Sequence, residues 1–186
     1  QTFLNKLWNV ARFVIMNAGE TQTDLKKLHT SLEKNKDKFL DHERWILSRF
    51  ADTVQKVTEG MESYQFGAVG ETLYRFTRDE FADYAIEAFK LTKQETKYGD
   101  QILVYILLTL LKLWHPYIPF VTEKLYSTIT GKSLIDSDWA HCSLPRDESI
   151  EEEITLIFDI IYQIRNIRGN NKIKPGELVE VMIYAT

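Results

Sequence analysis

Leu4-Asn5-Lys6-Leu7-Trp8-Asn9-Val10-Ala11-Arg12-Phe13-Val14 is the stretch on which the fold turns. Leu4, Leu7, Trp8, Ala11, Val14 and Ile15 recur at three- and four-residue intervals, the period of one helix face. Lys6, Asn9 and Arg12 recur every third residue on another side. The spacing predicts an amphipathic helix from Thr2 to Ala18, with Gly19 in the left-handed position that closes it. A lysine, an amide and an arginine on successive turns suit phosphates and base edges.

The same period continues outward. Glu20 to Lys38 is polar and reads as a solvated excursion with a short helix over Leu25 to Leu32. Asp41 suits the N-cap of a second helix reaching Ser63, with Ile46, Leu47, Phe50, Val54, Val57 and Met61 facing the core. A third, Phe66 to Leu91, carries Val69, Leu73, Phe76 and Tyr84. A fourth, Asp100 to Trp114, is apolar nearly all round and belongs at the centre. His115-Pro116 must interrupt it, and Pro119 opens a helix over Phe120 to Thr128. Lys132 to Asp147 reads as loop. Ser149 caps a last helix, Ile150 to Arg168, whose stripe is Ile150, Ile154, Ile157, Ile161 and Ile164. Leu178 to Tyr184 reads as one strand, which cannot stand alone. The expected class is therefore all-α, a helical bundle over residues 1–169 with a short C-terminal strand segment. Residues 170–186 read as the start of a linker or small α/β segment, and both ends as cuts from a longer protein.

Composition narrows the function. Among 186 residues, 8 Gly and 4 Pro are too few for a many-turned β-sandwich. A net charge of −4 means that nucleic acid could be held only by a local basic patch. The lone cysteine, Cys142, allows no internal disulfide and points to a reducing compartment, the cytoplasm. The longest apolar run, Ile102 to Leu113, interrupted by Thr109 and Lys112, falls short of the roughly 20 residues a bilayer needs, so no membrane partner is expected.

Catalytic patterns are missing. His141 and Cys142 are adjacent, and sequence neighbours rarely face each other productively. Gly131-Lys132-Ser133 copies the end of a phosphate loop, but Tyr126 stands where its first glycine belongs. Glu80, Asp83 and Glu87 share a helix face without the Glu-x-x-His pairs of a di-iron bundle. The four histidines do not cluster, so no metal site is expected.

Three basic groupings are the candidate binding residues. The first is Lys6, Asn9 and Arg12. The second is Arg44, Trp45 and Arg49, where an indole could stack a splayed base between guanidinium groups. The third lies around Arg165, Arg168, Lys172 and Lys174, with Asn166, Asn170 and Asn171 among them. Each has a plainer reading: helix-end cations satisfy carbonyls, tryptophans fill cores, and arginines pair with acids.

Several blocks, in order, resemble one family. Lys6-Leu7-Trp8-Asn9 with Arg12-Phe13 is similar to the K-L-W-N-x-x-R-F that opens the anticodon-binding helical domain of valyl-tRNA synthetases. Asp41-His42-Glu43-Arg44-Trp45-Ile46-Leu47-Ser48-Arg49 resembles that family's D-R-W-I-L-S-R. Tyr64-Gln65-Phe66, Leu73-Tyr74-Arg75-Phe76 and Glu80-Phe81-Ala82-Asp83-Tyr84 resemble Y-x-F, L-Y-x-F and E-F-x-D-W. His115-Pro116 with Pro119-Phe120-Val121-Thr122-Glu123 resembles H-P-F-x-P-F-x-T-E, and Ile164-Arg165-Asn166-Ile167-Arg168 resembles I-R-N-I-R. Ala82 and Tyr84 replace the family's usual cysteine and tryptophan, His42-Glu43 lengthens the D-R-W block, and Lys172-Ile173-Lys174-Pro175 follows the pattern loosely.

The resemblance implies the tRNA-recognition module of a valine–tRNA ligase, an aminoacyl-tRNA synthetase of protein biosynthesis. Its partners would be the anticodon arm of valine tRNA and the catalytic domain of the same polypeptide. Lys6, Asn9, Arg12, Arg44, Trp45, Arg49, Arg165, Arg168, Lys172 and Lys174 would contact the RNA. The parent enzyme joins valine to tRNA using ATP with Mg. Its H-I-G-H and K-M-S-K-S signatures are missing from this chain, which is expected to be inactive alone and to hold no cofactor. Two alternatives stand: the same domain of an isoleucyl or leucyl enzyme, and a helical scaffold or protein-interaction module without an RNA role.

Overall fold

The computed structural model describes residues 3–19, 21, 23–142, 144–174, 176–182 and 184. The helices follow in order: α1 (Phe3–Ala18), α2 (Leu25–Asn35), α3 (Asp41–Glu62), α4 (Phe66–Arg75), α5 (Ile86–Thr92), α6 (Gly99–Trp114), α7 (Pro119–Thr130) and α8 (Glu148–Asn170). A 3₁₀ turn, Lys36–Lys38, follows α2, and a π-helical stretch, Phe76–Ala85, joins α4 to α5. The backbone stays right-handed helical at both of those joints, so Phe66 to Thr92 is one continuous rod, as its apolar pattern predicts.

The core forms around α6. Every residue from Ile102 to Leu111 is buried, as its almost wholly apolar sequence requires, with Thr109 Oγ1 donating to the Tyr105 carbonyl, and α1, α2, α3 and α7 pack against it. Pro119 occupies the first turn of α7, where its missing N–H costs nothing. Gly60 sits where α4 meets α3; a Cβ there would lie 2.5 Å from Val69 Cγ2. Among the described residues no helix is long and apolar enough to cross a membrane.

Four expectations change. Within the polar stretch, α2 joins the core: Leu28 and Leu32 are buried, and the Asp24 carboxylate caps the helix by accepting from Lys26 N and Lys27 N. Asp41 lies inside α3, not at its cap; Leu40 N donates instead to Glu43 Oε2 at 2.9 Å. Asp147, not Ser149, caps α8, its carboxylate accepting from Ile150 N.

The fourth is the strand. No strand occurs among the described residues. Leu178, Met182 and Tyr184 are exposed without a ladder partner, and a lone strand leaves its backbone groups unpaired. Ile183 lies outside the described residues, as does Thr2, the expected start of α1.

Two apolar stripes bury less than their sequences suggest. In α1, Leu7, Val10, Ala11 and Val14 are buried, but Leu4, Trp8 and Ile15 are 40–46% exposed. They lie about 60–100° around the helix from Leu7, beyond the strip that α6 covers. In α8, Ile150 and Ile154 are buried while Ile157 and Ile161 are not. α8 leans chiefly on α3 and runs antiparallel to it: Glu151 meets Ser48 and Arg49, and Phe158 meets Trp45. Since α3 begins at Asp41, the C-terminal turns of α8 extend past its end.

Candidate nucleic-acid interface

The three groupings have different fates. On α1, Lys6 sits on the flank facing the π-helical stretch and donates to Asp83 at 2.8 Å. Asn9 and Arg12 are exposed on the outer face, and Arg12 makes no ion pair among the described residues. Trp8, 46% exposed, lies beside them in sequence and offers an aromatic surface.

The second grouping is structural. Trp45 is 3% exposed, its ring edge-on to Phe158 at 4.8 Å, so it has no free face for a base. The base-stacking expectation for Trp45 is corrected on that ground: a large apolar ring between two packed helices fills the core. Arg44 donates to Asp147 at 2.6 Å, and that bond holds the Asp147 carboxyl below the usual range. Arg49 donates through Nε and Nη2 to Glu80 at 2.8 and 3.0 Å, and through Nη1 to Glu151 at 3.2 Å. The Glu80 hydrogen bonds are the largest of the influences that raise its pKa.

Arg146, from the loop before α8, completes this clasp. It meets Glu151 at 3.0 Å and Asp52 at 3.2 Å, while Ser48 Oγ donates to Glu151 Oε1. Burial alone would raise the Glu151 pKa, but hydrogen bonds from Arg146, Ser48 and Arg49 outweigh it and hold the carboxyl below its ordinary value. All three guanidinium nitrogens of Arg49 thus point into the protein, where the clasp fastens α8 and the π-helical stretch to α3. Sequence spacing found the basic residue but not the acids that claim it.

The third grouping lies on the overhanging end of α8. Arg165 is exposed, and so are Lys172 and Lys174 beyond the helix. Arg168 is turned inward to the backbone: Nη2 donates to the carbonyls of Lys174 at 2.7 Å and Glu177 at 2.9 Å. Those bonds hold the Lys174 and Glu177 backbone against the helix end. The structure therefore leaves Asn9 and Arg12 on α1, and Arg165, Lys172 and Lys174 beyond α3, open to a ligand. α1 packs chiefly on α6 and α8 chiefly on α3, so the two sets are held by separate elements.

Sequence reading missed a further set of cations. Lys26 and Lys27 of α2, Lys112 of α6 and Lys132 after α7 border one trough. They come from three separate stretches of the sequence that share no motif, so nothing local marks them as a set. Burial lowers the Lys112 pKa most, and the nearby charge of Lys26 lowers it further, against the opposing pull of Asp138.

Comparison with known proteins adds a second line. Residues 43–183 match the family model described as the anticodon-binding domain of tRNA ligase. The chain is 35% identical over 189 residues to a valine–tRNA ligase of Fervidobacterium nodosum, covering 99% of this chain and 21% of that protein. It is 33% identical to one of Streptomyces avermitilis (96% and 20%) and 32% identical to one of Lactococcus lactis (97% and 22%). The chain thus spans about a fifth of the length of the curated relatives it matches.

Proposed function

Since the chain belongs to the anticodon-binding domain family of tRNA ligases, we propose that it holds the anticodon arm of valine tRNA for a valine–tRNA ligase. The observation that carries this is the pairing of the family match with cations left open by the fold. Arg12, Arg165, Lys172 and Lys174 face solvent without an ion pair among the described residues, whereas Lys6, Arg44 and Arg49 are engaged by acids. A rigid bundle suits the task, because side chains borne on packed helices hold a base in a narrower range of positions than loop residues do. Asn9 would read a base edge, Arg12 a base edge and its neighbouring phosphate, and the α8 end would grip phosphates. The whole polypeptide would supply the catalytic domain that uses ATP to join valine to the RNA.

Filter binding tests this reading. Valine tRNA should bind more tightly than the same tRNA with an altered anticodon, each base contact contributing about 1–3 kcal/mol. Arg12→Ala should remove part of that preference with little change in melting temperature. Equal affinity for both RNAs, and for isoleucine and leucine tRNAs, would leave only non-specific charge binding. That outcome would favour the second reading, a helical scaffold, which draws on the net charge of −4 and on the pairing of Lys6, Arg44 and Arg49 with acids.

A further inference from the structure

α8 is held over its first turns and free beyond them. Ile150, Glu151 and Ile154 are buried, and no residue from Asp159 to Asn170 is. Two side chains on one face do the holding, Glu151 and Phe158. They stand seven residues apart, which is about 10 Å along the axis.

The Glu151 carboxylate is the first point. It is 7% exposed and accepts four hydrogen bonds. Its Oε1 takes Ser48 Oγ and, at 3.1 Å, Arg146 Nε. Its Oε2 takes Arg146 Nη2 at 3.0 Å and Arg49 Nη1 at 3.2 Å. Arg49 also donates to Glu80 at 2.8 and 3.0 Å, which ties this point to the π-helical stretch as well as to α3.

Phe158 is the second point. Its ring meets the edge of Trp45 on α3 at 4.8 Å and stacks on Tyr84 of the π-helical stretch at 4.2 Å, with 24° between the planes. Aromatic pairs at such separations favour particular orientations. Both points therefore join the same three elements. One point would let the helix pivot; two in line fix its axis.

The step of seven continues to Arg165. Seven residues fall about 20° short of two turns, so Glu151, Phe158 and Arg165 lie within about 40° of one line on the helix. Arg165 thus stands on the continuation of the packed face, about 10 Å past Phe158, where it is exposed and makes no ion pair among the described residues. A tilt of roughly 15° about Glu151 would carry Arg165 about 5 Å. That is more than a hydrogen bond to a phosphate can span.

We propose that Glu151 and Phe158 are positioning residues of the RNA interface: together they aim the free arm of α8 and hold Arg165, with Lys172 and Lys174 beyond it, against phosphates that neither of them touches. The proposal rests on the anticodon-arm reading above.

Two measurements on the whole chain test it. The first needs no RNA. Spin labels at Glu62→Cys on α3 and Asn166→Cys on α8, with Cys142→Ser removing the native thiol, report the direction of the arm. The distance between labels should be narrowly distributed in the parent. It should broaden or shift by about 5 Å in Glu151→Gln and in Phe158→Ala, and return to the parent's in Phe158→Tyr, which keeps the ring. The second is tRNA binding across a salt series. Glu151→Gln should lower the magnitude of the slope of log affinity against log salt by about 0.7 to 2, the worth of one to three phosphate contacts. That loss should vanish when Arg165, Lys172 and Lys174 are already Gln, because the carboxylate acts through them. The anticodon preference that depends on Arg12 should persist.

An unchanged distance in either Glu151→Gln or Phe158→Ala, whatever the melting temperature does, overturns the two-point clamp. Full additivity between Glu151→Gln and the three cation substitutions overturns the positioning role and leaves a purely structural one. If the triple cation variant binds tRNA as the parent does, the anticodon-arm reading of this arm fails and the RNA half of the proposal with it, while the label distances still decide whether the clamp aims α8.

Discussion

Arg49→Met separates a clasp from an RNA contact. Methionine keeps the apolar stem and deletes the charge. Breaking a buried pair from one side costs about 3–5 kcal/mol when the other charge is left alone. Here Glu151 retains Arg146 and Ser48, and Asp52 retains Arg146 and Lys56. Only Glu80 loses its partner, and its side chain is 21% exposed, so water can reach it. The expected loss is therefore smaller, about 2–3 kcal/mol, or roughly 4–12 °C in melting temperature for a domain of this size. Moderate salt should change it little, since partly buried pairs are weakly screened.

The pH dependence has a definite sign. Arg49 helps hold the Glu151 pKa below its unfolded value of about 4.5, so that contribution is complete above this pH. It disappears as pH falls through the folded-state value. The gap between parent and variant, followed by thermal unfolding, should narrow below about pH 4.5. A variant that melts like the parent but loses tenfold or more in tRNA affinity would refute the clasp and return Arg49 to the RNA-contacting set.

Trp45→Ala should cost about 3–5 kcal/mol through lost packing on Phe158, seen as a large fall in melting temperature; unchanged stability with weakened RNA binding would restore the stacking role. Glu43 is fully buried, and burial is the largest influence on its pKa, raising it despite hydrogen bonds from Thr96 and Leu40. The folded state then binds the extra proton, so this group makes stability fall as pH rises from about 4.5 through the folded value. Glu43→Gln should flatten that slope while staying within about 1 kcal/mol of the parent near neutrality, which paired melting curves across the acid range would show.

What the sequence disclosed depended on range. Helix positions were legible because periodicity is local: α6 announces its burial through an apolar run broken only by Thr109 and Lys112, and Pro119 marks the start of α7. Capping was less legible, since Leu40 carries no cap signal of its own and relies on Glu43 reaching back. The α8 stripe misled because periodicity says which face is apolar, not how far the partner helix extends. The candidate site was harder still. Arg44 and Arg49 look like RNA ligands until Asp147, Glu80 and Glu151 are seen, and Glu151 is about a hundred positions away.

Salt dependence turns this sorting of cations into a number. Each phosphate neutralised releases counterions, and for a single-stranded loop the slope of log affinity against log salt is about −0.7 per contact. Were Lys6, Arg44 and Arg49 to engage the RNA as well as Arg12, Arg165, Lys172 and Lys174, the slope would approach about −5. With the first three held by Asp83, Asp147, Glu80 and Glu151, it should lie nearer about −3. Substituting Lys172 or Lys174 by Gln should lower its magnitude by close to one contact each, and substituting Arg44 should not. A steep slope that shrinks on loss of Arg44 would mean that the RNA pulls this arginine from Asp147. The closed ion pairs would then be a resting state of the interface and not its boundary.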